Sequence, residues 1–221
     1  LEIGFEDGLV QEVTAHAGVA VLVEAIRLSG VIAAVDRVFP GKKNPKGLTH
    51  GQMVEALVLL SALGGDCVDD IETLRQDRGL AAMLGYELPA PSTIRAWLDQ
   101  CHDEKAMAGR PSQGSFIPPE PARLAGLMEV VRQSVRAYVA ATNTSRQVTM
   151  DVDAHLVEST KREALRTYEG YRGYQPMIVT WAQTGLILAD QFRDGNVPAS
   201  KDTAEVVDEA YDALPSRPDG W

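Results

Sequence analysis

Val148-Thr149-Met150-Asp151-Val152-Asp153-Ala154-His155-Leu156-Val157 alternates with period two. Val148, Met150, Val152, Ala154 and Leu156 fall on one side; Thr149, Asp151, Asp153, His155 and Val157 fall on the other. The spacing predicts a strand with one buried face and two carboxylates side by side on the opposite face. Aspartate is disfavoured in strands, and two like charges roughly 7 Å apart on one face repel. A divalent cation removes that penalty, because hard oxygen ligands suit Mg²⁺. The pattern points to metal-dependent chemistry on a nucleic acid.

Downstream, Glu158 to Gly170 reads as a loop carrying Lys161, Arg162 and Arg166. Pro176 to Ala182 reads as a second strand, Gln183-Thr184-Gly185 as a tight turn with glycine where positive φ is needed, and Leu186 to Phe192 as the antiparallel partner. Asp202 or Thr203 caps a helix through Val206, Val207, Ala210 and Leu214, which Pro215 stops. Upstream the character changes to helical. A long helix is expected from Pro121 or Ala122 to about Ala141, with Leu124, Leu127, Met128, Val131, Val135 and Tyr138 on one side, and Thr142-Asn143-Thr144-Ser145 ending it. Gly109 to Pro121 reads as an exposed Gly/Pro/Ser linker.

Before that linker the periodicity is that of an all-helical domain. Val19, Leu22, Val23, Ile26 and Val31 carry the first helical stretch, broken at Gly30. Thr49 is the expected N-cap of a helix from Gln52 to Leu63, ended by Gly64-Gly65, with Glu55 in its early turns. Asp69 or Asp70 caps a third, and Ser92 caps a fourth whose stripe is Ile94, Trp97, Leu98 and Cys101. Helix, turn and capped helix have the outline of a helix-turn-helix, although core packing alone explains the same stripe. The domain boundaries expected are 1–120 helical, 121–145 a connecting helix, and 146–221 the strand-bearing part, an α+β chain.

Composition narrows the class. The 221 residues are 45% hydrophobic, enough for a packed core. No apolar run is long enough to cross a bilayer, and no basic segment precedes the apolar stretch from Ala15 to Ala34, so a cytoplasmic protein without a membrane partner is expected. Cys67 and Cys101 have neither CxxC nor zinc-finger spacing and read as structural thiols. The net charge is −10, and both halves are acidic, which weighs against a strong nonspecific grip on phosphates. Local basic clusters still matter. Lys42, Lys43 and Lys46 lie in a Pro/Gly loop. Lys161, Arg162, Arg166 and Arg172 lie close in sequence to the acidic strand, interleaved with Glu158, Glu163 and Glu169, so phosphate contact and a solvated mixed-charge loop both fit. Tyr168, Tyr171, Tyr174 and Trp181 are candidates for stacking on bases, with Tyr174 and Trp181 better suited to core or hairpin packing.

Three further strings sharpen the reading: Asp151-Val152-Asp153-Ala154-His155-Leu156-Val157-Glu158, Tyr168-Glu169-Gly170-Tyr171-Arg172-Gly173-Tyr174-Gln175-Pro176, and Phe192-Arg193-Asp194-Gly195-Asn196-Val197-Pro198. With Asp69 to Arg75 and Leu88 to Arg95 upstream, they resemble the DDE transposases of bacterial insertion sequences, specifically the insertion-sequence 1380 family, over about Val13 to Pro215. The resemblance implies a helical N-terminal domain followed by the opening antiparallel meander and first helix of an RNase H-like domain. It implies a first catalytic Asp at Asp153, with Asp151 as its neighbour in metal binding, where two Mg²⁺ or Mn²⁺ ions promote cutting and rejoining of double-stranded DNA at transposon ends and target. A homo-oligomer on DNA is implied as well.

The resemblance also carries departures. His155 stands where the family usually has Thr, either as a metal ligand or as a solvent-facing side chain. The family's second Asp lies on the strand after the helix that ends near Leu214, and its Glu later still. Neither falls within this sequence, an excerpt or a decayed remnant, so it is not expected to catalyse strand transfer alone. Residues 147–221 are expected to show an open sheet edge and an uncovered face. Two other readings stay open: a noncatalytic helical interaction protein, in which Asp151 and Asp153 guard an edge strand, and a different metal nuclease with an RNase H-like core.

Overall fold

The computed structural model describes residues 14–39, 47–142 and 147–215. The chain divides into two compact units, 1–102 and 103–221. In the first, α1 (Val19–Leu28) and α2 (Val31–Val38) are separated at Gly30, whose φ of 75° is the left-handed value that ends one helix and lets the next begin. Helix α3 (His50–Ala62) starts two residues before the expected Gln52. Its first turn is fixed by a reciprocal capping box: the Gln52 N–H donates to Thr49 Oγ1, and the Thr49 N–H donates to Gln52 Oε1. A 3₁₀ turn (Val68–Asp70) leads into α4 (Ile71–Arg75), followed by α5 (Arg78–Leu84) and α6 (Pro91–Leu98).

Two expected caps are corrected. The Asp70 carboxylate accepts the N–H groups of Asp66 and Cys67, which lie behind it, and Asp69 pairs with Arg95. Ser92 lies inside α6, because Pro91 occupies the first turn and places the N-cap at Ala90. Of the expected stripe, Ile94 and Trp97 on α6 and Cys101 in the 3₁₀ turn after it (Asp99–Cys101) are buried, and Leu98 is not. The core of this unit joins Val23, Ala56, Leu59, Ile71, Leu80 and Ile94. Beside it Glu55, only 1% exposed, accepts hydrogen bonds from Arg27 and from the Tyr86 hydroxyl.

The second unit opens with α7 (Glu104–Ala108), the irregular segment 109–121 and α8 (Ala122–Thr142). Strands β1 (Met150–Ala154), β5 (Met177–Trp181) and β6 (Leu186–Gln191) form an antiparallel sheet in the order β1-β5-β6. Between β1 and β5 the chain makes a smaller sheet from β2 (Val157–Glu158), β3 (Leu165–Arg166) and β4 (Arg172–Tyr174), in the order β2-β4-β3. Helix α9 (Thr203–Ala213) follows. The strand expected to run through Val157 therefore ends at Ala154, opposite Met177. The next residue on the partner is Pro176, which has no N–H to continue the ladder. The stretch expected to be loop from Glu158 to Gly170 contributes to two strands, each too short for alternation to register in sequence.

Gly185, at φ 72°, turns β5 into β6 as expected. A register shift opposite Val179/Thr180 leaves both Leu188 and Ala189 buried on β6. The core joins Met177, Val179, Trp181, Val206, Ala210 and Val135, with Met150, Val152 and Ala154 packed against it. On α8 the buried residues are Met128, Val130 and Val135, while the expected Leu124 and Tyr138 are exposed. The segment expected to be an exposed linker is irregular but anchored. The Asn196 side-chain N–H donates to Gly114 O, Lys201 Nζ donates to Ser115 Oγ, and the Asp194 N–H reaches Phe116 O. No helix among the described residues is long and apolar enough to cross a membrane. Neither Cys67 nor Cys101 is in a disulfide.

Candidate active site

On β1 the exposure alternates as the sequence dictates: Met150, Val152 and Ala154 are half-buried, Asp151 and Asp153 exposed. Asp153 lies in register with Ile178 on β5, and Ile178 with Asp190 on β6; Asp151 faces Thr180. Directly paired residues share a face, so Asp151, Asp153 and Asp190 belong to the same side of the sheet. Burial of its carboxyl pushes Asp190 above the usual carboxylate range, even though the residue as a whole keeps surface exposed. Burial, with the negative charges of Glu209 and Asp190, also raises Glu120. Among the described residues, no three His, Cys, Asp or Glu side chains are grouped to hold a metal ion. Asp151 and Asp153 suit a hard divalent cation in donor type and fall short of it in number.

Asp153 lines an open cleft of about 480 Å³. The other walls come from Val152 and Ala154, from Tyr168 on the β3–β4 turn, from Gln175 and Met177 at the entry to β5, and from Ala199 and Thr203 at the start of α9. Asp202, just before α9, has φ 53°, a left-handed backbone that Asp tolerates better than most residues. His155 is exposed, and its N–H donates to Pro176 O.

The expected cations are distributed unevenly. Arg172 uses its guanidinium within the chain, donating to Ala164 O and Arg162 O. Arg166 borders a separate depression of about 320 Å³ with Arg110, Ser112, Gln113 and Asn196. Lys161 and Arg162 are exposed beside it in sequence. Lys42, Lys43 and Lys46 lie outside the described residues. Of the aromatics, Trp181 is in the core, Tyr174 packs against Phe192 in a tilted pair with ring centroids 4.9 Å apart, and Tyr168 alone of the four is largely exposed.

Several residues of the site escape a reading of the sequence. Gln175 is 3% exposed, Asp194 and Arg193 are fully buried. Arg193 donates to Gln191 Oε1 and Ala199 O, which fixes the loop that forms one wall of the cleft. Asp194 makes a two-pronged contact with Arg110, at 2.9 Å through Nε and 2.6 Å through Nη2. Burial pushes the Asp194 carboxyl up and Arg110 opposes it, burial being the larger effect. The available signal was the density of polar residues in Phe192 to Pro198, which marks a loop without saying that it is buried.

A family model described as transposase DDE domain group 1 matches residues 7–217. Comparison with curated proteins and with solved structures returned no match.

Proposed function

The chain belongs to the group 1 transposase DDE domains, and from that premise we propose that it is the DNA-engaging and catalysis-bearing part of an insertion-sequence transposase of the 1380 type, with residues from about 146 opening an RNase H-like domain. The observation that carries the reading is the placement of Asp153: an exposed acidic residue on a strand that borders a cleft, with Asp151 beside it on the same face of the sheet. A divalent ion such as Mg²⁺ or Mn²⁺, held there with oxygen ligands from elsewhere, would stabilise charge on the entering and leaving oxygens of a phosphodiester. Asp153 is the ligand nearest the cleft, and Asp151 adds negative charge to hold the ion. The substrate is double-stranded DNA, contacted through Lys161, Arg162 and Arg166, whose exposure suits phosphate. Lys42, Lys43 and Lys46 are proposed as a second basic contact, and a homo-oligomer as the working assembly on DNA.

A noncatalytic DNA-associated remnant is the second reading, favoured by the lack of a third clustered ligand among the described residues. One experiment separates them. Without metal, two carboxylates on the DNA face repel phosphate; with metal, they attract it through the ion. Duplex binding by the wild type is expected to strengthen on adding Mg²⁺ or Mn²⁺ at constant ionic strength. Asp153→Asn is expected to bind as well as wild type or better in EDTA and to lose that response. An unchanged metal response in Asp153→Asn would remove Asp153 from the site.

A further inference from the structure

We propose that His50 is an acid-sensitive latch within the first unit: as a neutral ring it ties the start of α3 to α6, and a second ring proton releases the tie. Of the four histidines, His50 alone is buried, while His102 and His155 are exposed. Its Nδ1 accepts the Trp97 indole N–H at 2.8 Å. An indole nitrogen can only donate, so Nδ1 presents its lone pair and the single ring proton sits on Nε2. The Phe39 ring stacks on the imidazole with centroids 4.9 Å apart and on the Trp97 indole at 5.6 Å. Phe39 and Trp97 are themselves buried. The three rings join the end of α2, the start of α3 and α6, beside the apolar core of the unit.

A proton added to Nδ1 sets two N–H groups against each other across that contact and costs the Trp97 indole its acceptor in a buried place. The positive end of the 13-residue helix α3, whose first residue is His50, opposes the new charge as well. Cation–π attraction to the Phe39 face offsets part of this. The charged groups on the surrounding elements are committed or wet. On α2, Asp36 is exposed and accepts the Gly51 N–H at 2.8 Å, and Arg37 is exposed. On α3, Glu55 is held by Arg27 and Tyr86. On α6, Arg95 is paired with Asp69, and Asp99 just after it is exposed. A Cβ on Gly51 would stand 2.5 Å from Ile32 O, so α3 cannot shift towards α2, and the contact that yields is the one to Trp97. In the unfolded chain a histidine takes its proton near pH 6.5. The latched chain binds fewer protons than the unfolded chain below that value, so stability falls as pH drops through it.

The test follows the histidine rings and the Trp97 indole of the whole ¹⁵N-labelled chain by long-range ¹H–¹⁵N spectra from pH 8 to pH 5. His50 should keep a single ring proton at pH values where His102 and His155 have already become cations. Its protonation, when it comes, should coincide with a shift of the Trp97 indole N–H and with faster amide exchange in α3 and α6, after correction for intrinsic rates. In urea unfolding, the ratio of the wild-type unfolding constant to that of His50→Gln should rise towards about ten-fold per pH unit below pH 6.5. The glutamine carbonyl can accept from Trp97 without titrating, and the carboxylates common to both proteins cancel in the ratio. Protonation of His50 together with the exposed histidines, or with the Trp97 signal unmoved, would overturn the proposal, and that reading needs no variant to fold. A ratio that stays constant with pH would overturn it as well.

Discussion

Asp190 shares its sheet face with Asp153 yet lives in a different electrostatic setting. Its carboxyl is desolvated and holds its proton to higher pH in the folded chain than in the unfolded one. The folded state then binds more protons than the unfolded state as pH climbs past the ordinary Asp value of about 3.9, and stability falls with pH through that window. Asp190→Asn removes the ionisation. It is expected to raise the melting temperature at pH 7, with the gain shrinking below about pH 4; thermal melts of both proteins at the two pH values check this. A gain that is the same at pH 3.5 and pH 7 would mean that packing, not charge, is responsible. Sequence reading could place Asp151 and Asp153 because alternation encodes which side a strand residue faces. It could not single out Asp190, whose carboxyl is raised by a burial that only folding creates.

At the scale of elements, the small sheet and the loop after β6 depend on backbone approaches that only glycine permits. A Cβ on Gly173 would stand 2.3 Å from Val157 O, and one on Gly195 would stand 2.4 Å from Gly173 O. Both obstacles are backbone atoms, which cannot rotate away. Gly173→Ala is expected to part β2 from β4 and to displace the turn that carries Tyr168, read as lost amide protection at Ser159, whose N–H donates to Arg172 O. These glycines stand in the motifs that resemble a known family, and close packing is the physical reason for them. The segment 109–121 illustrates the opposite case. Its Gly, Pro and Ser content correctly signals irregular backbone, but composition says nothing about Arg110, which reaches the buried Asp194. Asp194→Ala strands that guanidinium and is expected to cost about 3–5 kcal/mol in urea unfolding. Replacing both residues by apolar ones of similar size should recover much of the loss, because burial already opposes the Asp194 charge.

For the whole molecule, the helical half was legible where a cap and a 3.6-residue stripe coincide, as at Thr49 and α3. It was least legible where a polar residue turns inward. Glu55 reads as an ordinary helix residue, yet it is buried between Arg27 and Tyr86, with Arg27 also donating to Leu84 O at 2.8 Å. Burial and the Glu55 carboxylate both push the Tyr86 phenol up, so the tyrosine stays the donor. Glu55→Ala leaves a guanidinium and a hydroxyl without their acceptor and is expected to destabilise the first unit by about 3–5 kcal/mol. The two units have separate cores, so the effect should be confined. Hydrogen exchange on the intact chain is expected to show faster exchange across α1, α3 and α5, with β5, β6 and α9 unchanged. Equal loss of protection in both units would instead mean that the chain unfolds as one cooperative body. A charge placed inside α3 would then set the stability of the strand that carries Asp153.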